Sequence, residues 1–257
     1  MEKAKLIEVF SVYAKNFDFD DPIIALKYNH GLAVANLSYE IAESLLMSEQ
    51  QKLLSYFIGL VHEIGSFENW KKTKTYQDTI TTKQILFNDN LIEKFNIEKT
   101  DQKIVMLSIN GLNEKNDEEI NNYCKKFKES EKKIEEIIKY QNILLDANIL
   151  DLFGMMKRKS LPVIHATNSK ESLSKIIFKN FKDENKASVE DVQSKLDEVI
   201  YFLSLFYDLK FNYSIQYALK LDFAEAIYEY YYPELNDKER ERLTHIIQNF
   251  KQKAYKN

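Results

Sequence analysis

Apolar residues recur along most of this chain at spacings of three and four, and the strict alternation that marks strands is scarce. This pattern predicts helices almost throughout, because positions three and four apart share one helical face. Breaks are few, since the 257 residues include only five glycines and three prolines. The pattern therefore predicts an all-α fold whose first helix covers residues 2–16.

Two capping signals predict the starts of the next helices. Asp21 followed by Pro22 is typical of an N-cap and a first helical turn, so a helix is predicted from there toward Leu46. Ser48 has Gln51 three residues later, which is the spacing of a capping box. Ser48 is therefore expected to begin the next helix.

Glycine and polar residues mark where the predicted helices end. Gly65 is expected to end the helix that Ser48 begins, and residues 66–76 are expected to form a loop at the rim of any site there. The mixed charges of residues 124–140 are typical of one solvated helix face. Four later helices are expected at residues 170–182, 188–207, 211–232 and 236–255.

One compact domain over residues 1–257 is the expected organisation. The later helices carry aromatic faces that need a packing partner, and the earlier helices are the nearest available. Residues 1–160 would form the core that holds any site, and residues 161–257 would add a C-terminal helical layer. The segment from Lys159 to Ser169 is the best candidate for a boundary between them.

The dipeptide His62-Glu63 is the clearest candidate for chemistry, because it continues an apolar helical stripe. Leu54, Ile58 and His62 are spaced four apart, so the imidazole should face the core. A lone histidine in such a position is more often a hydrogen-bonded core residue than a metal ligand. A second histidine, His30, lies upstream on another predicted helix, and this favours a shared metal site.

Five segments carry a resemblance to a known family. In chain order they are KYNH from Lys27, LVHEIGSFENW from Leu60, ITTKQILFNDNLIEKF from Ile80, SINGLNEKN from Ser108 and LLDANILDLFG from Leu144. Together they resemble the HD superfamily of metal-dependent phosphohydrolases, in particular its small bacterial single-domain branch. LSLFYDLKFNYSIQYALK resembles the C-terminal helices of that branch. The resemblance implies a compact helical HD-domain-like bundle with additional C-terminal helices.

The resemblance also implies a metal site made by a first histidine, a histidine-aspartate pair and a distant aspartate. His30 and His62 stand at the two histidine positions, but Glu63 replaces the aspartate of the pair. Asn148 stands where the distant aspartate is expected, and Leu112 stands where a further histidine is usual. Two imidazoles and one carboxylate therefore remain from a larger set.

The remaining donors predict at most one weakly held divalent metal. Asparagine offers only a neutral carbonyl oxygen, which is a poorer donor than a carboxylate. The expected ligands are His30, His62 and Glu63, with Asn148 as a weaker donor. The ion would be Mn, Fe, Ni or Mg, or the site would hold none. Asp151 follows Asn148 by three residues on the same helical face and can assist, so Glu63 and Asp151 are the candidates for catalytic roles.

Lys27 is the candidate for binding a ligand, because it lies three residues before His30. The resemblance places it where it could reach a substrate phosphate. The alternative interpretation is a solvated lysine near the start of a helix, and the sequence favours neither. A cation in a pocket attracts anions even without a metal, so phosphate binding can outlive hydrolysis.

Composition narrows the classes of partner. A formal net charge of −4 argues against general nucleic-acid binding, which rests on clustered positive charge. No apolar run approaches the ~20 residues that span a bilayer, so no membrane partner is expected. The one cysteine, Cys124, suits a reducing compartment and predicts a cytoplasmic protein. The tyrosine-rich segment 228–235 predicts core packing at a helix end, with a contact in a homo-oligomer as the alternative.

Three classes of function follow from these residues. In the first, an HD-like protein with an eroded metal site binds a nucleotide or another small phosphorylated ligand with little or no hydrolysis. In the second, His30, His62 and Glu63 hold one metal in an active phosphohydrolase. In the third, a helical protein-interaction module has kept only the fold, since function belongs to the site and not to the fold.

Overall fold

The computed structural model describes residues 2–75, 79–110, 117–126, 128–160 and 174–254. Helices α1 to α7 span Lys3–Ala14, Pro22–Ser44, Glu49–Val61, Gly65–Thr73, Thr79–Lys83, Leu91–Lys94 and Lys99–Asn110. Helices α8 to α14 span Asp117–Lys126, Glu131–Lys157, Lys175–Lys182, Lys195–Ser204, Asn212–Leu221, Phe223–Tyr231 and Asp237–Ala254. Short π or 3-10 turns span Gln84–Asn88, Val189–Asp191, Leu205–Asp208 and Tyr232–Glu234. All regular structure in these ranges is helical, so the predicted all-α class is confirmed.

Residues 1–148 and residues 149–257 each form a compact unit, and the division falls within α9. The single domain predicted over the whole chain stays a prediction. The boundary proposed between Lys159 and Ser169 falls mostly on residues 161–173, which lie outside the described residues. Within the described ranges, no helix combines the length and the apolar character needed to cross a membrane.

Both capping predictions are confirmed. The Asp21 side chain accepts a hydrogen bond from the amide of Ile23 at 2.9 Å, and Pro22 occupies the first turn of α2. At α3, the Ser48 hydroxyl accepts from the Gln51 amide at 3.3 Å, while the Gln51 side chain accepts from the Ser48 amide at 3.0 Å. These bonds satisfy amide donors that a helix start otherwise leaves unpaired.

The first unit is built around the close packing of α2 on α3, which glycine permits. A Cβ atom added to Gly59 would lie 2.9 Å from the Val34 carbonyl oxygen and 2.7 Å from the Ser38 hydroxyl. Gly31 is nearly as tight, since a Cβ there would lie 3.1 Å from the Leu60 carbonyl oxygen. The absence of a side chain at Gly59 therefore sets how closely the two helices approach.

Aromatic side chains join α1, α2 and α4 in the same unit. Phe10 stacks on Tyr28 with ring centroids 5.4 Å apart, and its other neighbour Phe67 lies 6.0 Å away at an edge-on angle. Phe17 contacts Phe67 at 5.3 Å. Such pairs contribute to stability beyond the area they bury, so they fix α4 beside the start of α2.

The structure corrects two predictions between residues 61 and 76. Gly65 does not end a helix, because α3 ends at Val61 and Gly65 begins α4, where its amide donates to Thr82 Oγ1 at 2.9 Å. The predicted loop over 66–76 is helical as far as Thr73. Phe67 is buried and attaches this otherwise polar segment to the core. The spacing of apolar residues did not predict a helix here.

Two predicted continuous helices are broken by residues with left-handed backbones. Lys128 has a φ of 55° and separates α8 from α9, so residues 124–140 are not one helix face. Asp222 has a φ of 52° and divides the helix predicted over 211–232 into α12 and α13. Aspartate tolerates this conformation better than most residues do, and an apolar repeat does not record it.

The second unit has an aromatic core of its own. Phe223 stacks against Phe153 with centroids 4.3 Å apart and against Phe206 at 5.2 Å, and it meets Phe250 edge-on at 5.4 Å. In the tyrosine-rich segment, Tyr231 is buried as the core prediction requires, whereas the neighbouring tyrosines keep more exposure. The homo-oligomer contact stays a prediction.

Candidate metal centre

The site residues come from α2 and from the turn that follows α3. His30 lies in α2 with 5% of its surface exposed, and His62, the residue after α3, is 1% exposed. Each histidine is close in sequence to a glycine at the helix crossing, since Gly31 follows His30 and Gly59 precedes His62 by three residues. The packing that buries the core therefore also brings the two imidazoles together.

The two ring nitrogens of His62 have different environments. Nδ1 lies 2.7 Å from the Gly59 carbonyl oxygen, which can only accept, so Nδ1 carries the proton of this bond. Nε2 is buried and has no hydrogen-bond partner among the described residues. Burial lowers the pKa of His62 from its ordinary 6.5 to about 4, and the nearby Glu63 carboxylate opposes that shift without cancelling it. The imidazole is neutral near pH 7, with its lone pair at Nε2.

Glu63 lies between the two histidines and a lysine. Its Oε2 accepts a hydrogen bond from Lys27 Nζ at 2.5 Å and lies 3.6 Å from His30 Nε2, while Oε1 lies 4.0 Å from His62 Nε2. Burial alone would raise the pKa of Glu63, but the Lys27 ammonium and the two imidazoles outweigh it. The pKa of Glu63 therefore falls well below its usual range, and the side chain is a carboxylate.

The structure thus brings three of the predicted ligands together. Donor atoms of His30, His62 and Glu63 all lie within 4.8 Å of one another, and the two imidazole rings are 5.1 Å apart between centroids. This group could hold a metal ion. Lys27, the predicted ligand-binding residue, contacts the same carboxylate.

The other predicted site residues lie along α9 or outside the described ranges. Asn148 is half-buried at the end of the first unit. Asp151, in the second unit, is buried and accepts a hydrogen bond from the Arg158 guanidinium at 3.1 Å. Leu112 lies outside the described residues. The roles suggested for Asn148 and Asp151 stay predictions.

Sequence reasoning missed the ion pair between Lys27 and Glu63. It treated Lys27 as a partner for phosphate or as a solvated lysine, although Lys27 and His30 are three residues apart and so share a helical face. Any carboxylate close to His30 was therefore also within reach of Lys27. It also missed the bond from His62 to Gly59, which orients the imidazole and which no spacing in the sequence indicates.

Comparisons with known proteins found no relative from which a function could be inferred. No family model matches the chain, and neither the curated proteins nor the solved structures include a match. The resemblance to the HD superfamily stays a prediction that rests on the segments quoted above. The case for a function therefore depends on the contacts of His30, His62, Glu63 and Lys27.

Proposed function

We propose that this protein binds one divalent metal ion at His30, His62 and Glu63 and uses it to hold a small phosphorylated ligand, with little or no hydrolysis. The observation that carries the proposal is the Nε2 atom of His62, which is almost fully buried and has no hydrogen-bond partner in the part of the chain that the structure describes. A buried acceptor without a partner costs free energy, and a metal ion would satisfy it. Histidine ligands commonly donate their other ring N–H to a carbonyl, as His62 does to Gly59.

The spacing of the donors supports one ion. Two ligands that each lie ~2.1 Å from a tetrahedral metal are roughly 3.4 Å apart. The carboxylate of Glu63 lies 3.6 Å from His30 Nε2 and 4.0 Å from His62 Nε2, so small side-chain movements would bring the set to ligand spacing. Mixed imidazole and carboxylate donors suit Mn, Fe, Ni or Zn.

The charge of the site supports weak binding. One carboxylate provides the formal negative charge among the three ligands, and it is already paired with Lys27. An incoming metal must compete with that ammonium, which lowers its net gain in free energy. We therefore infer a metal that exchanges readily rather than one retained through purification.

The access of the site to solvent, its positive charges and the resemblance to the HD superfamily together support a phosphorylated ligand. Both histidines are buried, but the side chains of Lys27 and Glu63 are 13% and 26% exposed, so the site reaches solvent on their side. A phosphate approaching from there would meet the metal and an ammonium. Both are favourable partners for an anion.

The test of the metal site is a titration with Mn²⁺ or Ni²⁺. Wild-type protein should bind one ion per chain, and His62→Gln should weaken binding by more than ~10-fold. His245→Gln is the matched control, because His245 is an exposed histidine of α14, in the other unit. Two tightly bound ions per chain, or equal affinity in all three proteins, would contradict the proposal.

Active phosphoester hydrolysis is the second candidate: the donor set fits a hydrolytic metal site, and the resemblance to the HD superfamily supplies the phosphoester as substrate class. Two histidines and a glutamate with an open position form the donor set of some catalytic zinc sites. A metal there would polarise a phosphoryl oxygen and lower the pKa of bound water. A phosphatase assay on the titrated samples separates the two candidates, since metal-dependent turnover that His62→Gln abolishes would establish the enzyme.

A further inference from the structure

Lys27 occupies the position from which a cation neutralises Glu63. Its ammonium lies 2.5 Å from Glu63 Oε2, and that same oxygen is the one nearest to His30 Nε2, at 3.6 Å. The oxygen that would ligate a metal beside His30 is therefore already bound to a positive charge.

A metal ion and the Lys27 ammonium repel each other at such separations, and the carboxylate cannot serve both equally well. Binding of a divalent ion favours a state in which Lys27 has left Glu63. An ammonium that gives up its contact with Glu63 loses that attraction, and an anion that reaches it would replace it. With 13% of its side chain exposed, Lys27 can meet an anion that arrives from solvent.

We propose that Lys27 competes with the metal for the Glu63 carboxylate and thereby couples metal binding to anion binding. The metal displaces Lys27 from Glu63, and the displaced ammonium then pairs with an anion such as phosphate. Each ligand increases the affinity for the other by the same factor, as linkage requires. This inference rests on the proposed metal site and adds the regulation of that site.

The site has one carboxylate among its three ligands, so the metal and Lys27 compete for the same negative charge. Without an anion, Lys27 returns to Glu63 and the metal is held weakly. With both present, the metal and Lys27 each have a negative partner. The protein would therefore respond to metal and phosphorylated ligand together rather than to either alone.

The first experiment measures metal affinity by calorimetry with Mn²⁺ alone. Lys27→Met removes the competing charge, so it should bind the metal about tenfold more tightly than wild type. Lys52→Met is the matched control, because Lys52 is 14% exposed and pairs with Glu49 at 2.7 Å in the same unit. It lies ten residues before His62 along α3, which is roughly 15 Å of helix. Lys52→Met should leave the affinity close to that of wild type.

The titration is then repeated with inorganic phosphate. Phosphate should tighten Mn²⁺ binding several-fold in wild type and in Lys52→Met, and much less in Lys27→Met. If Lys27→Met does not fold, Lys27→Gln replaces it, since glutamine is neutral but can still donate a hydrogen bond to Glu63.

A second experiment uses the unaltered protein. An amine-reactive reagent modifies lysines, and mass spectrometry reports the extent at each position. Labelling of Lys27 should rise when Mn²⁺ is added and fall again when phosphate follows, whereas labelling of Lys52 should stay constant. Unchanged labelling of Lys27 by Mn²⁺ at concentrations that saturate the protein would overturn the inference.

The outcomes distinguish failure of the proposed competition by Lys27 from failure of the proposed metal site. If neither wild type nor the Lys27 variants bind Mn²⁺, the metal site itself is wrong. If Mn²⁺ binds through His62 but the Lys27 and Lys52 variants have equal affinity, the site stands and the competition is rejected. If the Lys27 variant binds more tightly but phosphate still tightens it as much as in wild type, the coupling through Lys27 is rejected.

Discussion

At the scale of single residues, the two ring nitrogens of His62 have different roles: one makes a hydrogen bond that orients the ring, and the other carries a buried lone pair. Nδ1 donates to the carbonyl of Gly59, while Nε2 stays buried without a partner among the described residues. The first contact fixes the ring, and the second leaves an acceptor facing Glu63 at 4.0 Å. A histidine kept only for packing would gain from a partner at both nitrogens.

The shifted pKa of His62 predicts a pH dependence of stability in metal-free protein. The unfolded chain takes up a proton near pH 6.5, whereas the folded protein resists it down to a pKa of about 4. Stability is therefore full above pH 6.5 and falls as the pH drops, by on the order of 3 kcal/mol from this group. Chemical denaturation with a chelator present, measured across this range, provides the test.

The contribution of His62 is isolated by comparing variants. His62→Gln should show a shallower loss of unfolding free energy between pH 6.5 and pH 4 than wild type. His245→Gln should keep the wild-type slope, because it replaces an exposed histidine of the other unit and leaves His62 in place. Parallel pH profiles for His62→Gln and wild type would show that the buried imidazole titrates normally.

At the scale of elements, Gly59 and Gly154 both lie within helices but have different neighbours. Gly59 faces the backbone of α2, which cannot move aside without shifting the helix. A Cβ atom added to Gly154 in α9 would lie 2.9 Å from the Arg158 guanidinium, and that side chain is flexible and 59% exposed. The same substitution should therefore have opposite effects at the two positions.

We expect Gly59→Ala to destabilise the protein by about 2–4 kcal/mol, because its methyl group would press on Val34 and Ser38. Gly154→Ala should be neutral or stabilising by up to ~1 kcal/mol, because alanine is the better helix former. Thermal and chemical denaturation of both variants measure the difference. Equal stability of the two variants would mean that α2 and α3 are not closely packed at Gly59.

Glu198 is a buried carboxyl of α11 whose ionisation opposes the packing of α11 with α13. It is 4% exposed, one of its oxygens has no partner among the described residues, and burial raises its pKa to about 7 despite a hydrogen bond from Tyr231. Folding stability from this group is full below the ordinary value of 4.5 and declines as the pH rises through 7.

Glu198→Gln should therefore stabilise the protein at pH 8 by on the order of 3 kcal/mol and have little effect below pH 4.5. Glutamine keeps the shape and the hydrogen bonding without a charge. Glu225→Gln is the control, because Glu225 is 44% exposed and pairs with Lys251. A gain from Glu198→Gln that is the same at both pH values would rule out ionisation as its cause.

The sequence predicted the elements where local chemistry determined them. The cap at Asp21 and the capping box at Ser48 follow from side chains that bond their own backbone, so nearby residues suffice to predict them. The breaks at Lys128 and Asp222 depend on left-handed backbones that tertiary packing selects. The close approach of His30 and His62 was expected from a resemblance, whereas the bond of Lys27 to Glu63 required the packed helices.

At the scale of the whole molecule, ligand binding should appear as increased resistance to heat. A ligand that binds only the folded state stabilises it by RT ln(1 + [L]/Kd), or about 2.7 kcal/mol at one hundred times Kd. We expect Mn²⁺ with inorganic phosphate or a nucleotide to raise the Tm of wild type more than the sum of the separate increases. His62→Gln should lose most of this shift.

A panel of nucleotides and sugar phosphates, with and without Mn²⁺ or Ni²⁺, completes this measurement. The phosphorylated ligand that raises the Tm most identifies the ligand class. If no member of the panel shifts the Tm under either condition, both site-based functions fail and the helical interaction module becomes the preferred interpretation.

Gly59, at the crossing of α2 and α3, serves both the packing of the fold and the geometry of the site. Selection for a stable protein alone would preserve Gly59, because any side chain there meets the backbone of α2. The same residue accepts the hydrogen bond that orients His62. A protein that no longer bound the proposed metal would thus keep the scaffold of the site. We expect metal binding at this site to be lost and regained through a few substitutions at the ligands, without rebuilding the fold.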